Sequence, residues 1–313
     1  MAALTPVRRQ YLDIKKRYPD AILFFRLGDF YEMFDDDAVL ASEILQIVLT
    51  GREMGKGVKV AMCGVPHHAA ETYATRLLDA GHKVAICDQV GEPGSGLVER
   101  QVTQVITPGT RVEDGMLRPN RNNYLVAVVA TDERLGLAFA DITTGEFAAT
   151  SFGGDDAPGQ LQREIERLNP AEILLPEELP INLPAGKTHQ PSTAGWLPGG
   201  DAVDGILDRT MGAAAHSAGW DAAARAAAAT LITYVETNQS QALHVLTSVH
   251  AHPTGRFMEL DGFTRRNLNI DRSDDSDSSP CLLDIIAKAR TPMGARLLRS
   301  RLSLPLLDRT EIE

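Results

Sequence analysis

Short apolar runs alternate with amphipathic segments in the first third of the chain. The run Ile-Leu-Phe-Phe at 22–25 has the length and the β-favouring side chains of a buried strand, and Gly28 and Asp29 follow it as a turn signal. Further strands are predicted at 58–62 and 84–87, and helices at 6–18, 35–47 and 69–80. Strand–helix alternation over residues 1–115 predicts an α/β domain with a mixed sheet.

A second group of strand patterns follows a polar linker at 116–123. Strands at 124–130, 135–142, 145–151 and 173–175, with helices at 161–168 and 220–235, predict a second α/β domain over 124–252. Residues 177–215 are rich in proline, glycine and alanine and predict only loops and short elements. The polar, acidic stretch at 271–279 predicts a mobile loop.

Composition narrows the class of protein. The chain has 313 residues, of which 43% are hydrophobic and 23% charged, as in ordinary globular proteins. Three scattered cysteines favour a reducing compartment. No apolar run reaches the roughly 20 residues of a membrane span, and the first residues lack the apolar core of a secretory signal. The sequence therefore predicts a cytoplasmic protein. The net charge of −11 argues against general nucleic-acid binding. Residues 1–120 are nearly neutral, with 14 Lys and Arg against 16 Asp and Glu, so a local basic face stays open.

An aromatic residue and a carboxylate stand two residues apart after the first turn signal. Four of the nine phenylalanines fall within 24–34, and Phe30 is followed by Tyr31 and Glu32. In an extended chain, Phe30 and Glu32 leave the same face. The ordinary interpretation is a core phenylalanine beside a solvated glutamate. The alternative is a phenyl wedge that enters the minor groove of DNA, beside a carboxylate that accepts a hydrogen bond from a displaced base.

Several segments resemble the MutS family of DNA mismatch repair proteins. The sequence Gly-Asp-Phe-Tyr-Glu-Met-Phe at 28–34 resembles the family's Phe-X-Glu mismatch-recognition motif. The same resemblance covers 61–69, 84–93, 100–110, 257–268, 282–298 and 304–306. It implies a mismatch-recognition domain at 1–115, a ribonuclease-H-like connector domain at 124–252 and the start of an all-α core, or lever, domain at 253–313.

The resemblance also implies roles for particular residues and partners. Phe30 would wedge beside a mispaired or unpaired base and Glu32 would bond to that base, while Arg52 and Arg76 are candidates for phosphate contacts. The family commonly has an aromatic residue in the place of His67, so any stacking role of that position is in doubt. The family's ATP and Mg²⁺ site, its homodimer contacts and its clamp lie beyond residue 313, and its partner MutL binds the connector. This chain is therefore expected to be an N-terminal portion that is not itself an enzyme.

The glycine-rich segment at 50–57 resembles a phosphate-binding loop only superficially. Gly51 is followed by three residues, not four, before Gly55 and Lys56, and glycine stands where the Mg²⁺-binding hydroxyl belongs. We predict instead a flexible connection that carries Arg52 and Lys56 towards a DNA backbone. A turn is predicted at 64–66.

Three further interpretations are weaker. A metal site at Asp35, Asp36 and Asp37 is disfavoured because neighbouring helical side chains diverge. The histidines and cysteines near 63–87 match no common zinc spacing. Asp141 suggests a nuclease, but two-metal cleavage needs several converging carboxylates, so an inactive scaffold is favoured.

A second hypothesis for function comes from another class. The chain would be a MutS-like protein-interaction module that acts through its connector and does not recognise mismatches. In that case, replacing Phe30 would leave its activity unchanged. Under either hypothesis, we expect the helices within 256–313 to be poorly protected from hydrogen exchange. Under the first, we expect DNA binding to be weak and salt-sensitive, because most of the family's wrapping contacts lie outside these residues.

Overall fold

The computed structural model describes residues 5–54, 59–90, 98–176, 179, 181, 188–191, 198–246, 248–252, 254–271 and 280–313. The chain divides into two compact units, unit 1 at Met1–Met116 and unit 2 at Leu117–Glu313. The finer division drawn from the sequence, with a separate helical domain from residue 253, stays a prediction.

Unit 1 is a six-stranded mixed sheet with three helices. The strands are β1 (Ala21–Leu27), β2 (Phe30–Phe34), β3 (Thr50–Glu53), β4 (Lys59–Pro66), β5 (Lys83–Val90) and β6 (Glu99–Ile106). The helices are α1 (Pro6–Lys15), α2 (Asp35–Leu45) and α3 (Ala70–Asp79). The strand order is β3-β4-β2-β1-β5-β6, with β1 and β5 parallel and the other described pairs antiparallel. The predicted mixed-sheet α/β fold is confirmed.

β1 is buried on both of its faces, which explains its continuous apolar run. Ile22 and Phe24 belong to the core that α2 and α3 cover. Leu23 and Phe25 point the other way, into a second core that contains Tyr11 of α1. The period of two residues along a strand thus sends alternate side chains into two separate cores.

The acidic start of α2 fastens that helix to its neighbours. Asp35 forms an ion pair with Arg8 of α1 at 2.5 Å. Asp37 is buried, lies 2.8 Å from Lys15 Nζ, and accepts a hydrogen bond of 3.0 Å from the backbone N–H of Leu23. Asp35 and Asp37 therefore hold α2 against α1 and β1.

Two sequence predictions in unit 1 are wrong. Thr50–Glu53, predicted as part of a flexible loop, forms the edge strand β3. Residues 64–66, predicted as a turn, lie inside β4, which stays paired with β2 as far as Pro66. In both places cross-strand hydrogen bonds to a remote segment outweigh the local preference of glycine and proline for turns. Lys56 lies outside the described residues.

Unit 2 contains a second six-stranded mixed sheet. Its strands are β7 (Leu125–Ala130), β8 (Arg134–Asp141), β9 (Glu146–Gly153), β10 (Glu172–Leu175), β11 (Thr188–Pro191) and β12 (Ser248–Ala251). The order is β11-β10-β7-β8-β9-β12. β7, β8 and β9 are antiparallel, while β10 and β11 add in parallel beside β7. The prediction of a second α/β fold with a mixed sheet is confirmed.

Helices cover this second sheet. They are α4 (Ala157–Leu168), α5 (Gly200–Met211), α6 (Ala213–Ser217) and α7 (Ala222–Gln239). α7 lies against the sheet so closely that a Cβ added to Gly136 of β8 would stand 2.0 Å from the carbonyl oxygen of Ala223. The alanine-rich sequence of α7 allows this approach because its side chains are small. α5 falls within 177–215, where the sequence had predicted only loops and short elements.

The last part of the chain forms short helices, as predicted. They are α8 (Gly262–Asn267), α9 (Leu282–Ile286), α10 (Pro292–Ser303) and α11 (Arg309–Ile312). Large apolar side chains here are exposed, among them Phe263, Ile285 and Met293. The acidic stretch predicted to be mobile lies, after Asp271, outside the described residues. No helix among the residues that the structure describes is long and apolar enough to cross a membrane.

Candidate nucleic-acid interface

Phe30 stands at the tip of the hairpin formed by β1 and β2. Leu27 pairs with Phe30, so only Gly28 and Asp29 form the turn, and Gly28 has the positive φ of 62° that such a turn needs. Phe30 is 47% exposed, although it lies in a strand between Leu27 of β1 and Pro66 of β4. An exposed phenyl at a rigid hairpin tip has the form expected of a wedge.

Phe30, Glu32 and Phe34 share one face of β2 because strand side chains alternate. Phe34 is fully buried beneath Tyr11 of α1, with ring centroids 5.0 Å apart. Exposure increases along the strand, since the Glu32 side chain is 15% exposed and Phe30 lies at the open end. The placement of the aromatic and the carboxylate on one accessible face agrees with the sequence prediction.

Arg52 and Glu32 form an ion pair. Arg52 lies on the edge strand β3, and its Nη1 donates to Oε2 of Glu32. Its side chain is 45% exposed, so the guanidinium remains accessible to solvent. The structure thus brings together three of the four residues predicted from sequence: Phe30, Glu32 and Arg52.

Arg76 is not part of this group. It belongs to α3, which packs on the opposite face of the sheet from Glu32. Its Nη2 donates a hydrogen bond of 3.0 Å to the carbonyl oxygen of Ile44, near the end of α2. This contact stabilises the carboxyl end of α2 through the helix dipole and an otherwise unpaired carbonyl. A phosphate contact by Arg76 stays a prediction.

Residues around the hairpin add contacts that the sequence analysis did not assign. The Arg26 guanidinium lies over the Tyr31 ring, 5.4 Å from its centroid, and the Tyr31 hydroxyl donates to Asp88 at 2.7 Å. Burial and the nearby Asp88 raise the pKa of Tyr31 to about 12. The backbone N–H of His67 donates to the Asp29 carbonyl at 2.9 Å, which fixes the turn below Phe30. The only sequence signal for Arg26 is that a cation stands two residues before Gly28 of the turn.

The cysteines and the aspartate considered for a zinc site and a nuclease site have structural roles. Cys63 and Cys87 are buried, and burial raises the pKa of their thiols to about 11 and about 12. Asp141 is fully buried and accepts hydrogen bonds from the backbone N–H groups of Asn123 and Thr143, at 3.1 and 2.9 Å. It thereby stabilises the turn that follows β8. Among the described residues, no three His, Cys, Asp or Glu side chains converge in a way that could hold a metal ion.

The fold and the exposed group define a class: a chain with two mixed-sheet α/β units, followed by short helices, whose first unit presents an aromatic residue beside a paired carboxylate. Three family models match it in order. MutS domain I matches residues 5–115, MutS domain II matches 123–193 and MutS domain III matches 263–313.

Curated relatives agree with these matches. A DNA mismatch repair protein MutS from Dehalococcoides mccartyi is 45% identical over 323 residues, which covers 100% of this chain and 37% of the relative. Proteins of the same name from Pelotomaculum thermopropionicum and Brevibacillus brevis are 45% and 42% identical, and cover 97% and 100% of this chain and 36% of each relative. The chain belongs to the MutS family. It spans little more than a third of the length of these relatives.

Proposed function

We propose that this chain takes part in DNA mismatch repair by recognising mispaired or unpaired bases in duplex DNA. Phe30 enters the minor groove and unstacks one base step, and Glu32 accepts a hydrogen bond from the displaced base. The observation that carries the proposal is the exposure of Phe30, at 47%, in a sheet whose other phenylalanines are buried. The names of the relatives, all DNA mismatch repair protein MutS, support the same process.

The wedge suits a hairpin tip. Driving a phenyl between base pairs costs a few kcal/mol of unstacking, so the ring must be held by a support that does not yield. β2 pairs with β1 on one side and β4 on the other, which makes the hairpin an internal part of the sheet. A mispaired base is already poorly stacked, so the same wedge costs less at a mismatch than in a matched duplex.

Further functions are proposed for the full-length protein. Coupling to ATP with Mg²⁺, assembly as a homodimer and recruitment of MutL are proposed for it, on the strength of the family resemblance. Residues 1–313 would provide mismatch recognition and the connector domain. Phosphate contacts come from Arg76 and from parts of the protein outside these residues, so binding by this chain is weak and falls steeply as salt rises.

The test compares mismatched and matched duplexes at fixed, low salt. Fluorescence anisotropy would give the affinity of the chain and of Phe30→Ala for a labelled duplex with one mispair and for its matched counterpart. Because stacking of a base on an aromatic side chain contributes about 1–3 kcal/mol, the variant should lose roughly fivefold to a hundredfold of its mismatch affinity and keep its matched affinity. Phe30 is half exposed, so the variant should stay folded.

Phe263→Ala is the matched control. Phe263 is 69% exposed and lies in α8 of unit 2, so the variant removes the same type of side chain far along the chain from the hairpin. This control should bind both duplexes as the unaltered chain does. A mismatch preference that survives in Phe30→Ala would contradict the proposal and favour a protein-interaction module.

A further inference from the structure

The ion pair between Glu32 and Arg52 uses one oxygen of the Glu32 carboxylate and leaves the other oxygen available for a further hydrogen bond. Arg52 Nη1 donates to Oε2 of Glu32. Oε1 accepts no hydrogen bond from any residue that the structure describes. Glu32 thus has one oxygen held by the protein and one available on the face that Phe30 occupies.

Glu32 and Arg52 lie on strands that are not neighbours in the sheet. β4 lies between β2 and β3, and the residue of β4 opposite Glu32 is Gly64. The Arg52 side chain extends from the edge strand across β4 and meets the Glu32 carboxylate.

We propose that Arg52 is a positioning residue for base recognition: it holds Glu32 through Oε2, so that Oε1 is presented to the displaced base beside Phe30. This inference rests on the proposed function. Two physical reasons support it. A glutamate held in one rotamer loses less conformational entropy when the base binds. An adjacent guanidinium also offsets the repulsion between the carboxylate and nearby phosphates.

The proposal differs from the role in which Arg52 contacts a phosphate. A phosphate contact would strengthen binding to matched and mismatched duplexes alike, because phosphates carry no sequence information. A residue that orients Glu32 would affect the mismatch and have little effect on the matched duplex. The two roles therefore predict different changes in the ratio of mismatched to matched affinity.

A double-mutant cycle separates these roles. The affinity ratio would be measured for the unaltered chain, Glu32→Ala, Arg52→Ala and the double variant, each over a series of salt concentrations. Arg52→Ala should lower the ratio by about fivefold, which is about 1 kcal/mol at 1.4 kcal/mol per decade. The double variant should have the same ratio as Glu32→Ala, because Arg52 acts only through that carboxylate.

Two further variants test the role of the Arg52 side chain and control for the loss of an arginine. Arg52→Lys keeps the charge but has no rigid planar fork, so it should leave the salt dependence unchanged and restore the affinity ratio only in part. Arg209→Ala removes an arginine from another exposed ion pair, Arg209 with Glu236 at 3.1 Å in unit 2. It should leave the affinity ratio unchanged.

The possible failures can be distinguished. Equal losses for both duplexes in Arg52→Ala, a salt slope smaller by about one phosphate contact and additive effects with Glu32→Ala would overturn the positioning role. The proposed function would still stand if Phe30→Ala abolished the mismatch preference in the same assay. If Phe30→Ala kept that preference, the proposed function itself would fail.

Discussion

Asp37 should be a main source of stability in unit 1. Its carboxylate lies 2.8 Å from Lys15 Nζ, 3.2 Å from the Tyr11 hydroxyl and 3.0 Å from the backbone nitrogen of Leu23. Leu23 precedes the part of β1 that pairs with β2, which begins at Phe25. Asp37 therefore supplies the acceptor that a neighbouring strand would otherwise provide.

The cost of Asp37→Ala follows from these contacts. A buried N–H left without an acceptor costs about 1–3 kcal/mol, and Leu23 is fully buried. Lys15 loses less, because its side chain is 26% exposed and it also donates to the Ala21 carbonyl at 2.6 Å. We therefore expect Asp37→Ala to lower the free energy of unfolding of unit 1 by about 2–4 kcal/mol.

The neighbouring residue offers a matched control. Asp36 is exposed and occupies the same first turn of α2. Its replacement by alanine removes the same charge from the helix dipole, which costs only about 0.3–1 kcal/mol. Asp37→Asn, which retains one acceptor oxygen, should fall between the two alanine variants.

The assay must report on unit 1 alone. Both tryptophans, Trp196 and Trp220, lie beyond residue 116, so tryptophan fluorescence would follow the wrong part of the chain. Native-state hydrogen exchange of the β1 and α2 amides, over a urea series, would give the free energy directly. If Asp37→Ala weakened protection there no more than Asp36→Ala, the reasoning would be refuted.

Unit 2 allows two further predictions. Burial opposes ionisation of Glu164, but the Arg167 guanidinium at 2.5 Å outweighs burial and holds the pKa of that carboxyl well below its usual range. The stability that this ion pair contributes is present above about pH 4.3, the ordinary Glu value, and should be lost as the pH falls further. In a profile of the urea midpoint against pH, Glu164→Gln should flatten this acidic part. Gly136→Ala should destabilise unit 2 by at least about 1–3 kcal/mol, because its Cβ would collide with the Ala223 backbone, while Gly205→Ala in α5, with open space around it, should be neutral or stabilising in thermal unfolding.

Much of the fold was predictable because local patterns specify it. The apolar run at 22–25, the turn at Gly28 and the amphipathic segments of α1, α2 and α3 each lie within a few residues of one another. The strand period of two also places Phe30 and Glu32 on one face, without any tertiary information. The resemblance to the family depended on short motifs that begin at 28–34 and recur as far as residue 306.

The errors occurred where remote residues decide the outcome. β3 contains Gly51 and has four exposed residues, so nothing local distinguishes it from a loop. It becomes a strand because β4 offers a partner, with Thr50 opposite Met62. α5 was missed because its sequence contains two glycines and lies in a region rich in loop-forming residues.

For the candidate site, the sequence by itself determined which side chains could act and that Phe30 and Glu32 share a face, since strand periodicity is a local property of the backbone. Only the tertiary structure decided their partners. Arg52 meets Glu32 across 20 residues of sequence, and Arg76 meets Ile44 across 32. The physical reason is that long, flexible arginine side chains pair with whatever acceptor the fold brings near them, and that acceptor is set by the packing of the sheet and its helices.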